Sequence, residues 1–174
     1  PWDLQPGYVI DTFATDFQLP VNITFVLNPG PNPNDPYFYV TELYGTIKLV
    51  TRNGTVSDYA TGVLNFDPLG SFFGSGQQGL AGLCIEPDSG DLFATMLYSS
   101  DPADEGAPHY PKVDRFHSAD GGRTAATRTT ILDMAGEIQA ESHQISSVSI
   151  GPDGKLYVHM GDGFDVDRAQ DLNS

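Results

Sequence analysis

Three stretches of the chain repeat one design. Each has a short apolar run, a turn containing proline, and a second run centred on an aromatic residue. They are "VNITFVLNPGPNPNDPYFYVTE" at 21–42, "GLAGLCIEPDSGDLFATM" at 79–96 and "ISSVSIGPDGKLYVHM" at 145–160. The aromatics Tyr39, Phe93 and Tyr157 stand 54 and 64 residues apart. Self-similarity at such a spacing marks a repeat architecture, whose units cannot bury their faces alone. The spacing leaves room for two further strands per unit, and "KVDRFH" (112–117) with "TRTTILDM" (127–134) fills it in the second.

The first unit reads the same way. Tyr37–Glu42 and Thr46–Thr51 are strands joined by a tight turn at Tyr44-Gly45. Asn53-Gly54 tolerates positive φ and starts another turn, after which Thr55–Ala60 is the outer strand. Helical periodicity is scarce, and runs of Val, Ile, Phe, Tyr and Thr alternate with Gly, Pro, Asn and Asp clusters. The expectation is an all-β fold: a β-propeller of four-stranded antiparallel blades. The chain holds about three of them, the third reaching only its second strand by Ser174. Residues 1–17 are expected as a lead-in strand and 18–174 as the propeller part. The alternative is a β-sandwich whose hairpins resemble one another by chance.

Composition narrows the partners. The chain has 174 residues, with 8 basic and 23 acidic side chains and a net charge of −15. Such a surface repels nucleic acid and anionic membranes and suits neutral or cationic small ligands. No run approaches the ~18 apolar residues of a membrane helix. Cys84, the single cysteine, sits in an apolar run and reads as core filler rather than nucleophile. The chain starts at Pro1 without a signal-peptide pattern, as a processed polypeptide would. Sequons at Asn22 and Asn53 matter only in a eukaryotic secretory route.

In a propeller the first strand of each blade lines the central channel. Aligning Pro87 with Pro152 sets an offset of 65 residues. Under it His143 corresponds to Gln78 and Ser142 to Gln77. Gln77, Gln78 and His143 are therefore expected at one mouth of the channel, against the plainer reading of the glutamines as loop polarity.

Four ordered segments resemble the glucose/sorbosone dehydrogenase family. "GQQGLAGLCIEPDSGDLFATMLY" is similar to its G-x-x-GL-x-G segment with the following proline and acidic residue. "SHQISSVSIGPDGKLYVHMGDG" is similar to its histidine, GPDGKLYV and GDG segment. "LPVNITFV" with "YFYVTELYGTIKLV" resembles its first blade, and "AQDLNS" the stretch after GDG. The PDGKLYV string alone occurs in many propellers; the ordered set is specific, and it covers the family's N-terminal half. The resemblance implies a six-bladed propeller that uses pyrroloquinoline quinone (PQQ) and Ca²⁺ to oxidise a sugar at its anomeric carbon, giving a lactone. It also implies a secreted or periplasmic location and an external electron acceptor.

The resemblance implies residue roles as well. A base takes the C1 hydroxyl proton as hydride leaves C1 for the quinone, and a histidine neutral near pH 7 suits that task. This role falls on His143. Gln77, with Gln78 next to it, falls beside the quinone, and Asp162 and Gly163 fall on the substrate side. Ca²⁺ and most cations that bind the PQQ carboxylates belong to later blades, so no metal ligand is assigned here. Ser142 stands where some relatives carry aspartate before the histidine, which predicts a weaker base. Gly163 removes a side chain that one branch turns toward the sugar.

Other candidates read as structural. His109, His117 and His159 lack zinc-ligand spacing and read as surface or strand-packing residues. Asp162, Asp165 and Asp167 do not follow the EF-hand order and read as a solvated loop, with a Ca²⁺ site between blades as the alternative. Two other functions stay open. One is a non-catalytic binding propeller of the Hedgehog-interacting-protein type, because fold does not fix function. The other is a lactonase- or strictosidine-synthase-type hydrolase, which needs a channel metal that Glu42 and Asp162 alone do not establish.

Overall fold

The structure is a computed structural model describing residues 3–68, 78–139, 142–163, 165 and 167. Its first sheet holds β1 (Pro20–Phe25), β2 (Pro36–Glu42), β3 (Thr46–Thr51) and β4 (Val56–Ala60). The second holds β5 (Leu80–Ile85), β6 (Leu92–Ser99), β7 (His109–His117) and β8 (Thr127–Asp133). The third is the pair β9 (Ile145–Ile150) and β10 (Leu156–Met160). Each sheet is an antiparallel meander in chain order. The expected all-β class and four-stranded blades are what the chain forms, and Thr46–Thr51 matches β3 end to end.

The blades stack face to face. Tyr39, Ile47, Leu49 and Tyr59 of the first sheet meet Leu80, Leu92, Met96 and Phe116 of the second in one buried cluster. A smaller cluster of Leu97, Val113 and Ile145 joins the second sheet to the third. Full burial of side chains of this size stabilises by about 1.5–3 kcal/mol each. These clusters pack each blade against the next.

The innermost strands β1, β5 and β9 run side by side, and a repeated device fixes their spacing. Thr41 Oγ1 donates to Ala81 O at 3.0 Å, across from the first blade to the second. One repeat later Thr95 Oγ1 donates to Ser146 O, from the second blade to the third. Gly82 N–H donates to the same Thr95 hydroxyl at 2.7 Å. A Cβ at Gly82 would lie 1.9 Å from Ser146 O, so only glycine allows this approach.

The lead-in differs from expectation. Residues 3–17 form no strand. The last of them lie against the outer face of the first sheet, where Ala14 and Phe17 pack on Phe38, Val40 and Val50, while residues 3–12 are exposed. The Phe13 ring sits 5.7 Å from that of Tyr37 and 5.8 Å from that of Phe38. The segment is held by side chains on a sheet face, not by pairing along an edge, so the strand ladder is never made.

Candidate functional site

A cavity of about 500 Å³ opens where the three sheets converge. Val21, Leu43 and Ala81 give it an apolar wall from the first two blades. His143, Gln144, Ser146, His159 and Asp162 give it a polar wall from the third. Its size falls within the ~300–1,000 Å³ of ligand pockets, and its mixed lining suits a small polar ligand with a flat apolar face.

The β9–β10 hairpin builds the polar wall. Met160 pairs with Ile145 at the open end of its ladder. Two positions further out on each arm, Asp162 comes opposite His143, and Asp162 Oδ1 lies 2.8 Å from His143 Nδ1. An ionised carboxylate only accepts, so Nδ1 carries the proton and the neutral ring has its lone pair on Nε2. The His143 side chain is 50% exposed and the Asp162 side chain 17%. The imidazole faces the cavity, and the carboxylate beside it is the less exposed of the two.

Backbone bonds hold these two residues in place. His143 has φ +57°, a left-handed conformation unusual for a side-chain-bearing residue. Its carbonyl accepts the Gly163 N–H at 3.0 Å, and the next carbonyl, of Gln144, accepts the Gly161 N–H at 3.3 Å. A Cβ at Gly161 would lie 2.2 Å from His143 O. The two glycines around Asp162 therefore let the strand ends close on one another.

The 65-residue equivalence has a direct structural counterpart. Gln144 Oε1 accepts the Gly79 N–H at 3.1 Å, and these two residues are 65 apart. The loop after Gln78 is thus bonded to the loop carrying His143. Gln78 itself is 2% exposed, a core group at the base of its loop. Gln77 lies outside the described residues. Gly163 contributes its backbone N–H to the His143 loop.

Two features escaped the sequence reading. Ser142 stands where some relatives carry an aspartate before the histidine, and the carboxylate that meets His143 Nδ1 comes instead from Asp162 across the hairpin. His159, read as surface or strand packing, lines the cavity, and its Nδ1 lies 2.9 Å from Ser146 Oγ. Its signal was position: it stands two residues after Tyr157, as Thr41 and Thr95 stand after Tyr39 and Phe93.

The remaining candidates have structural partners. Glu42 Oε1 accepts the Gln18 N–H at 2.6 Å, and the carboxylate lies 3.8 Å from Lys48 Nζ. Cys84 is buried, and burial pushes its thiol up to about 11, which makes it a poor nucleophile. His109 stacks on Phe66, with ring centroids 4.2 Å apart. His117 Nδ1 lies 2.7 Å from the buried carboxylate of Asp91, which also accepts from Arg115 Nε at 2.5 Å. Asp165 donates its N–H to Asp162 O at 3.1 Å, continuing the turn past the site. Among the described residues no group of three or more His, Cys, Asp or Glu side chains is placed to hold a metal ion. Among them, too, no helix is long and apolar enough to cross a membrane.

Comparison with known proteins places the chain. The profile of the family described as Glucose / Sorbosone dehydrogenase matches residues 22–174. A structure titled glucose dehydrogenase superposes with a TM-score of 0.65 at 18% identity, over 86% of this chain and 40% of its own. The soluble aldose sugar dehydrogenase of Escherichia coli, in its apo-form, superposes with a TM-score of 0.58 at 17% identity, over 91% of this chain and 42% of its own. At these identities the likeness is one of fold, and the chain spans less than half the length of either structure. No curated protein matches the chain.

Proposed function

The chain belongs to the glucose/sorbosone dehydrogenase family, and from that premise we propose that it is the N-terminal part of a quinoprotein sugar dehydrogenase. In this reading the complete six-bladed propeller oxidises a sugar at its anomeric carbon to the lactone. The observation that carries the reading is the His143–Asp162 pair, 2.8 Å apart, on the wall of a cavity to which all three sheets contribute.

His143 Nε2 takes the proton of the C1 hydroxyl as the hydride departs from C1. Asp162 holds the ring in the tautomer that can accept this proton and stabilises the imidazolium that results. The apolar wall of Val21, Leu43 and Ala81 offers a surface for the non-polar face of the sugar or cofactor. When bound, PQQ supplies the two-electron hydride acceptor, with Ca²⁺ polarising its carbonyl.

The lining fits one side of that cofactor. Imidazole, hydroxyl and amide groups can meet a quinone edge and sugar hydroxyls. Among the described lining residues there is neither Lys nor Arg to balance the PQQ carboxylates. The balancing cations, the Ca²⁺ ligands and the site for the external electron acceptor are assigned to the rest of the protein. Gln77 keeps its proposed place beside the quinone; Gln78, 2% exposed, is given the place of a buried support next to it rather than a contact with the cofactor. A secreted or periplasmic location accompanies this reading.

The test uses the full-length protein reconstituted with PQQ and Ca²⁺. Aldoses are screened with an artificial acceptor, and PQQ binding is followed by its absorbance. Turnover of a sugar, lost by about 10²–10⁴-fold in His143→Ala with PQQ binding retained, is the expected result. Near wild-type turnover in that variant would remove His143 as the base. If no sugar or aldehyde is oxidised by the PQQ-loaded wild type, a non-catalytic binding propeller takes the place of this reading.

A further inference from the structure

Gln139 belongs to none of the three sheets, yet it is buried, with 5% of its surface exposed. Its N–H donates to His109 O at 2.9 Å, an isolated antiparallel bridge to β7. His109 is itself buried and stacked on Phe66. The Gln139 backbone is therefore anchored to the second blade.

Its side chain reaches the third. Oε1 accepts the Ile145 N–H at 2.6 Å, and Nε2 donates to Gly161 O at 3.4 Å. Ile145 opens β9 two residues after His143, and Gly161 directly precedes Asp162. One amide thus closes on both peptide segments that present the pair. A carboxamide carries an acceptor and a donor at the same tip; a carboxylate offers only the acceptor, and a thioether offers little of either. Ile145 is fully buried, so water cannot replace the acceptor its N–H would lose.

We infer that Gln139 is a positioning residue: a clamp from the second blade that sets the His143–Asp162 geometry. The inference rests on the reading of His143 as the base. It assigns Gln139 no contact with the sugar or the quinone. Its whole effect runs through the hydrogen bonds to Ile145 and Gly161.

The experiment is a double-mutant cycle in the full-length PQQ-loaded protein. Gln139→Met removes both bonds at similar volume and should lower kcat by about 10–100-fold, the range of a small misplacement of a reacting group. KM for the sugar should stay within about twofold. In the His143→Ala background the same change should cost less than about twofold, because residues acting as one unit are not additive. Gln139→Glu keeps the acceptor for Ile145 and should fall between wild type and Gln139→Met. If Gln139→Met does not fold, Gln139→Glu carries the cycle.

An equal loss of kcat in both backgrounds, or a lowered Tm with kcat intact, would overturn the inference. A second readout does not need activity. In ¹⁵N NMR of the apo full-length protein, His143 should show a protonated Nδ1 in wild type and mixed tautomers in both Gln139→Met and Asp162→Asn. A wild-type His143 signature in Gln139→Met, beside a changed one in Asp162→Asn, would sink the clamp. If the wild type oxidises no sugar, the functional reading fails and the NMR comparison still decides the role of Gln139.

Discussion

In the proposed mechanism His143 works as a base only if one of its nitrogens is made the donor and the other the acceptor, a choice assigned to Asp162. Asp162→Asn keeps the size of the side chain but lets the ring take either tautomer. In the full-length PQQ-loaded protein kcat should fall by about 10²–10⁴-fold, with little change in PQQ affinity; steady-state kinetics with a sugar and an artificial acceptor check it. Asp91 shows the same residue type in a structural post. Burial raises its pKa, but the hydrogen bonds from His117 and Arg115 and their charges outweigh that and leave its carboxyl below the ordinary range. A carboxyl lowered by folding contributes stability above its unfolded pKa of about 3.9, and that contribution is lost as pH falls through the folded value. The expected result for Asp91→Asn is lower stability at neutral pH and a flatter acid limb below about pH 4. Urea denaturation across pH 2–7 measures both, and an unchanged acid limb would remove Asp91 from the account.

At the level of strands, the clasp threonines are not equivalent. Thr41 makes one inter-blade bond, to Ala81 O. Thr95 serves two backbone groups, donating to Ser146 O and accepting from Gly82 N–H. Thr95→Val leaves both of these unmet, the Gly82 N–H at a buried site, and should cost about 1–3 kcal/mol, whereas Thr41→Val should cost about 1 kcal/mol. Urea midpoints of the two variants, compared at equal m, test the order, and Thr41→Val as the costlier change would refute it. Strands of this kind were legible because turn chemistry sets their ends: Tyr44-Gly45 closes the β2–β3 hairpin and Asn53-Gly54 the next one. The blade repeat was legible for the same reason. The threonine clasp was equally present in the spacing, two residues beyond each aromatic, but its meaning needs the neighbouring blade. The His143–Asp162 contact follows from extending the β9–β10 register by two positions, a step that periodicity alone does not suggest. Gln139 was not legible at all, since its partners lie on three separate segments, and the lead-in was misread because nothing in its composition says whether a face or an edge will hold it.

Among the described residues, two broad faces have no neighbouring blade. Val21, Ile23 and Phe25 of β1 are exposed on one side, and Tyr157 and Met160 of β10 on the other. Blades stabilise one another only when covered, so residues 1–174 alone should melt broadly and at low temperature, and the full-length protein sharply. Calorimetry of both checks this, and a sharp transition in the isolated piece would contradict it. The single thiol turns the same contrast into a kinetic observable. Cys84 sits on β5, the inner strand flanked by β1 and β9, and its buried, protonated sulfur cannot react until that strand comes away. The rate at which a thiol reagent modifies the native protein is then the opening equilibrium multiplied by the intrinsic rate of an exposed cysteine. Without any engineered label, the chain reports how often its inner strands part, and a bound ligand that bridges the blades should slow that reaction in proportion to its hold on the closed form.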